Sequence, residues 1–301
     1  MTQKMKNVMK KYWVLYLMLV PAVVYIFIFN YVPMYGVTIA FKDFQASKGI
    51  LGSSWVGFEH FERVFSSPDF LTILQNTLIL SFYQLAMTFP IPIILALAIH
   101  SCASKKIGRI VQNITYAPYF ISIVVLVGMM YIMFAPRGVF NVLLTMMGFE
   151  SRLFMGDPSC FRHMFVWSNV WQTTGWNSII YIAALSGVNQ ELHEAAIVDG
   201  ASKLKRVLKI DLPMIIPTAA IILTLNVGNV MSLGFEKAYL MQNDLNMNVS
   251  EILSTYVYKK GLLDIDYSYS AAVGLFNNVI NLILLVTVNQ FAKKITKSSL
   301  W

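Results

Sequence analysis

The charged residues of this 301-residue chain fall in clusters, and between the clusters lie six long stretches without Asp, Glu, Lys or Arg. They run over 12–41, 70–99, 110–136, 164–190, 212–235 and 267–292. Crossing about 30 Å of hydrocarbon takes roughly 20 apolar residues in a helix, because a helix satisfies its own backbone groups where water is absent. Each stretch is long enough. The pattern predicts an all-α membrane protein with six transmembrane helices in one domain over 1–301, the spans lying at 12–34, 70–99, 110–134, 164–186, 213–233 and 269–291. A composition of 57% hydrophobic and 13% charged residues excludes an ordinary soluble domain. The first apolar run begins like a secretion signal behind Lys4, Lys6, Lys10 and Lys11. It is too long for one and no small-x-small cleavage site follows, so it reads as a retained span. Pro90, Pro92 and Pro118 mark places where spans can bend.

Basic residues accumulate in cytoplasmic loops, and this sets the expected orientation. With the N-terminus inside, the cytoplasmic segments carry Lys4, Lys6, Lys10, Lys11, Lys105, Lys106, Arg109, Lys203, Lys205, Arg206, Lys209, Lys293, Lys294 and Lys297. The opposite loops hold fewer bases and most of the acids. Both termini are therefore expected in the cytoplasm. The net charge of +8 becomes a topology signal, not a nucleic-acid footprint, since the basic clusters hug span ends and lack interleaved aromatics. Cys102 and Cys160 fall on opposite sides of the membrane in this arrangement and cannot pair.

One cytoplasmic loop, 187–211, contains the most patterned polar segment. Residues 194–213 read EAAIVDGASKLKRVLKIDLP. Leu192, Ala195 and Ala196 recur at helical spacing, and Gly200 can end that helix in the left-handed conformation. Ser202 can cap a second helix whose apolar face is Leu204, Val207 and Leu208. Pro213 is expected to close it before the chain re-enters the membrane. By spacing alone, an amphipathic hairpin on the lipid surface is an equal alternative.

Missing motifs narrow the function. The chain has no GxxxxGK[ST] phosphate loop, and no HExxH, CxxC or GxSxG pattern. His60, His100, His163 and His193 are isolated in the sequence and read as interfacial polar residues, so no metal site is expected. No charge falls in the middle of a span, which argues against a proton-coupled carrier. An ion-gradient carrier would also be expected to show an inverted repeat.

The segment 194–213 resembles the EAA loop of the permease subunits of ATP-binding-cassette importers. Further stretches at 21–44, 57–70, 234–243, 254–262 and 268–285 are similar to the LplB-like oligosaccharide permeases. The lysine-rich SKLKRVLK departs from relatives that carry aromatics there. The resemblance implies a type I importer permease fold in the bacterial cytoplasmic membrane, with an EAA coupling loop over 189–213 and no enzymatic activity of its own. It implies a second homologous permease, separate ATPase subunits that hold ATP and Mg, and an external lipoprotein or periplasmic sugar-binding protein. This chain would bind no cofactor and no nucleic acid, and its surroundings would be lipid. Glu194, Ala195, Ala196, Asp199, Gly200, Ala201 and Pro213 would form the ATPase-coupling element. Glu194 would offer a charge, the alanines a close-fitting surface, and Asp199 and Gly200 the turn.

Carbohydrate sites combine aromatic faces with amides and hydroxyls. The candidate substrate path therefore comprises Trp171, Gln172, Trp176 and Asn177 in the fourth span, Asn226 and Asn229 in the fifth, and Asn277 and Asn281 in the sixth. Interhelical hydrogen bonding explains such amides equally well, at roughly 1 kcal/mol each. An oligosaccharide is the expected cargo. An amino acid, a peptide or an inorganic anion is the alternative within the same architecture.

Overall fold

The structure, a computed structural model, describes residues 11–296; Lys4, Lys6, Lys10 and Lys297 lie outside the described residues. The chain is mostly helical. Helix α1 spans Trp13–Phe41, α2 Glu59–Ser66, α3 Phe70–His100, α4 Lys105–Phe120, α5 Ile123–Met133 and α6 Val139–Met146. Helix α7 spans Pro158–Leu185, α8 Gln190–Val198, α9 Lys203–Gly228, α10 Phe235–Met241 and α11 Tyr267–Thr296. Among the described residues, α1, α3, α9 and α11 are long and apolar enough to cross a membrane, with a fifth crossing if α4 and α5 count as one. Helix α7 has 28 residues, about 42 Å at 1.5 Å per residue. Its Ser, Asn, Gln and Thr content keeps it out of that apolar group.

Prolines shape these helices in a regular way. Helix α1 widens into a π-turn at Phe27–Tyr31, two residues before Pro33, and α9 does the same at Val207–Asp211, two residues before Pro213. In each case the residue preceding the proline donates to a carbonyl five residues back, Val32 to Phe27 and Leu212 to Val207. The wider turn makes room for a ring that would otherwise strike the carbonyl four residues earlier. Pro213 therefore does not close the second helix of the loop, contrary to the sequence expectation. The helix runs through it from Lys203 to Gly228. In α3 the interruption falls at Phe89, immediately before Pro90.

The expected third span, 110–134, is not a continuous helix. Helices α4 and α5 meet at 98°. Pro118 sits in the 3-10 turn Ala117–Phe120 that ends α4, and extended Ser122 caps α5 by accepting from the Val125 N–H at 3.3 Å. Apolar composition does not record such a break, because transfer energy is indifferent to backbone angles. The opened backbone is satisfied from α7, where Gln172 Nε2 donates to the Ile121 carbonyl at 2.7 Å.

Two compact units make up the chain. The first comprises the described residues up to Ser66 together with Tyr258–Leu275. A two-residue ribbon follows α1, with Lys42 opposite Trp55 and Asp43 opposite Ser54. Phe41 stacks on Trp55 at 5.6 Å. The buried His60 ring nitrogen Nε2 lies 3.0 Å from the Lys42 carbonyl. Ser268 donates to the Lys42 carbonyl at 2.7 Å and accepts from the Phe44 N–H at 3.0 Å. Arg63 pairs with Asp266 at 2.9 Å and lies over the Tyr269 ring.

The second unit, Ser67–Val257 with Phe276 onward, is organised around α7. Leu80 of α3, Leu126, Val127 and Met130 of α5, Phe161, Phe165, Val166 and Val170 of α7, and Met241 of α10 form one buried cluster. Tyr181 and Leu185 join Ala96 and Ile215 in another. Gly175 lets α7 approach α4: a Cβ there would stand 2.0 Å from the Thr115 carbonyl oxygen. Asn76 of α3 ties connecting segments down, donating to the Asn248 carbonyl at 2.9 Å and accepting from Arg162 at 2.9 Å. Lys237 of α10, between the fifth and sixth apolar stretches, is buried and donates to the Phe165 carbonyl at 2.9 Å. Burial pulls its ammonium down to a pKa of about 7. Cys102 and Cys160 are free thiols.

Candidate functional site

The patterned loop folds as helix, turn and helix. Asn189 starts α8 by accepting the Glu191 N–H on its side-chain oxygen at 3.0 Å. At the far end the Ala201 N–H reaches the Ala196 carbonyl at 2.8 Å and the Gly200 N–H the Ile197 carbonyl at 3.0 Å. This is the paired bonding of a Schellman stop, with Asp199 as the last helical shoulder and Gly200 in the left-handed region at φ 74°. Ser202 then opens α9 by accepting from the Lys205 N–H at 3.4 Å.

The two apolar faces expected on this hairpin find little cover on the chain itself. Leu192, Ile197, Val198, Leu204 and Leu208 are exposed, Val198 at 87%. Glu194, Ala195, Asp199, Gly200 and Pro213 are exposed as well, while Ala196 and Ala201 are half-buried. The hairpin is held to its own base by His193, whose Nε2 lies 2.9 Å from the buried carboxylate of Asp211. What remains outward is a mixed apolar and charged surface.

Part of the candidate path converges. Asn177 of α7 and Asn226 and Asn229 of α9 line one cavity of about 250 Å³. Ser81 and Gln84 of α3 and Asn169 of α7 complete a lining rich in amides and hydroxyls and free of charged side chains. Thr88, Thr173 and Ser232 also line it and were not singled out in the sequence. The signal for Thr173 was the four-residue spacing of Asn169, Thr173 and Asn177 along one face.

The other candidates lie elsewhere. Trp171 and Trp167 line an apolar cavity of about 540 Å³ with Met129, Met130 and Met133. Trp176 stacks flat on Tyr119, with ring centroids 4.4 Å apart, at the end of α4. Gln172 bridges the α4–α5 break, as described. Asn281 accepts from the Met231 N–H at 3.0 Å and donates to the Ser232 hydroxyl at 3.2 Å, just past the end of α9. Asn277 is half-buried, and its side-chain oxygen has no hydrogen-bond partner.

Known proteins resemble this chain over nearly all of its length. Protein LplB of Bacillus subtilis (strain 168) is 42% identical over 288 residues, 95% of this chain and 91% of that protein. The polygalacturonan/rhamnogalacturonan transport system permease protein YteP of the same organism is 40% identical, over 98% of this chain and 92% of its own length. Among solved structures, a chain of a bacterial ABC transporter involved in the import of the acidic polysaccharide alginate superposes with a TM-score of 0.91 at 36% identity. That match covers 98% of this chain and all of the other. The same TM-score holds for the alginate transporter in complex with an alginate pentasaccharide-bound periplasmic protein. Residues 88–297, the 189–213 hairpin among them, match the model of the binding-protein-dependent transport system inner membrane component family. The chain is a multi-pass, non-catalytic member of the binding-protein-dependent transport system inner membrane components.

Proposed function

We propose that this chain is a permease subunit of an ATP-binding-cassette importer for an oligosaccharide. In this reading it is one membrane domain of six spans, α7 and the broken α4–α5 pair included, with both termini in the cytoplasm. It works beside a second, homologous permease, receives cargo from an external binding protein, and is driven by separate ATPase subunits that hold ATP and Mg. The observation that carries the coupling role is the exposed apolar surface of the 189–213 hairpin. Leu192, Ile197, Val198, Leu204 and Leu208 stand outward on a turn fixed by Gly200. Glu194 at its edge supplies a charge for a basic partner group, and Ala195 and Ala196 permit close seating.

The cargo reading rests on YteP and the alginate importer, whose names specify polysaccharide transport, and on the chemistry of the cavity. Asn177, Asn226 and Asn229 with neighbouring hydroxyls match the hydrogen-bonding edge of a sugar. Two of the similar proteins serve acidic polysaccharides, yet this lining offers no cation. Selection for carboxylates, where it occurs, therefore falls to the binding protein or the second permease. The deciding experiment reconstitutes the complete complex in liposomes and follows ATP-driven uptake of labelled galacturonic oligosaccharides beside amino acids and short peptides. Oligosaccharide uptake that needs all subunits is expected. Transport of amino acids or peptides alone would replace the sugar reading with the alternative cargo.

A further inference from the structure

Three metal-ligating groups that are distant in sequence meet at the base of the coupling hairpin. They are His100, the last residue of α3, His193 of α8, and Asp211, the last residue of the π-turn in α9. One ligand atom from each lies within 4.8 Å of the other two. His193 Nε2 is 2.9 Å and His100 Nε2 3.8 Å from the same oxygen, Oδ1 of Asp211. We infer that these residues form a binding site for a divalent transition cation of the zinc class.

The separations suit such an ion. Around tetrahedral zinc, with bonds of roughly 2.0–2.1 Å, neighbouring ligand atoms stand about 3.3 Å apart. The two measured imidazole–carboxylate distances bracket that value. The remaining contraction falls mostly on His100, the more distant of the two imidazoles, whose side chain is 30% exposed. Two imidazoles and a carboxylate are a borderline-soft set that suits Zn, Co, Ni or Cu rather than Mg or Ca. Asp211 is only 2% exposed, and a buried carboxylate demands positive charge or strong donors around it. The π-turn itself aims Asp211 inward, and such turns concentrate at functional positions. All three residues border a cavity of about 520 Å³ that Glu194 also lines beside Lys105, Lys203 and Arg206, leaving room for water or a fourth ligand.

A bound ion would clamp α8 to the end of α3 and to the first turns of α9, so the hairpin could not shift independently of either. That consequence rests on the coupling role proposed above; ion binding does not, and it is tested without transport. The full-length chain, purified in detergent and stripped with chelator, is titrated with Co²⁺. Stoichiometric binding with the strong visible d–d bands of a four- or five-coordinate site is expected, and Zn²⁺ should displace it. His100→Gln and His193→Gln should each abolish those bands. Asp211→Asn should weaken binding by more than about tenfold, and His60→Gln, in the other unit, should leave it unchanged. If Asp211→Asn does not fold, the partly exposed His100 carries the test. Absence of the bands in the native chain, or their survival in the His100→Gln, His193→Gln double variant, would overturn the site.

Discussion

Asn281 of α11 accepts the backbone N–H of Met231 at 3.0 Å, placing a side-chain amide where α9 has just run out of helical partners. Its Nδ2 extends the contact to the Ser232 hydroxyl. The residue is 7% exposed, so both bonds are made away from water. Asn281→Ala is expected to lower stability by about 1–3 kcal/mol, the cost of orphaning a buried donor. Thermal unfolding in detergent measures this. A variant with native melting and selectively lost transport would instead move Asn281 into the substrate path.

Asn226 and Asn229 should behave in the opposite way. They line the cavity, and no inter-helix hydrogen bond of theirs matches the one made by Asn281. Alanine at both positions is expected to leave melting nearly unchanged while slowing sugar uptake roughly five- to tenfold, the loss of about one net hydrogen bond. Uptake in reconstituted vesicles, with binding-protein affinity measured in parallel, provides the readout.

Gly200→Val tests the coupling turn. A Cβ at Gly200 meets nothing within 4 Å, so crowding is not the obstacle; the φ of 74° is. A β-branched residue in that conformation costs about 1–2 kcal/mol, or tilts α8 away from α9 to avoid it. The assembled transporter should then hydrolyse ATP with little uptake. Gly200→Asn, which tolerates the left-handed region, should restore most of the coupling. Full uptake in the valine variant would argue against the docking role.

Lys237 gives the protein a signed pH dependence. Its pKa falls from 10.5 when unfolded to about 7 in the fold, because burial opposes the charge. Between these values the unfolded state binds more protons, so stability should rise with pH through this window. Below about pH 7 both states are charged, and the penalty is fully present. Lys237→Met should flatten the rise and raise the melting temperature most at or below pH 7. Melting curves at intervals across the window compare the two proteins.

Much of this was legible before any coordinates. Residues 190–202 carried their own instructions: a helix-forming run, a glycine for the left-handed stop, and a serine to restart. All three are local effects, and the structure realises them between Asn189 and Lys205. The convergence of Asn177, Asn226 and Asn229 was legible only in part. Each amide was visible on its helix, but which helix faces meet depends on how α7 packs against α9, where Tyr181 and Leu185 meet Ile215. Pro213 was misread because a proline's usual meaning, the end of a helix, is lifted when the preceding turn widens.

The sequence by itself determined that this chain lives in a membrane and which loop carries the turn. Those outcomes follow from transfer free energy and from backbone preferences spanning a few residues. Only the tertiary structure decided that the 110–134 stretch breaks at 98°, that Gln172 mends the break, and that His100, His193 and Asp211 stand together. These depend on contacts between distant segments, fixed by steric fit and by the need of each buried polar group for a partner. No local pattern encodes that need.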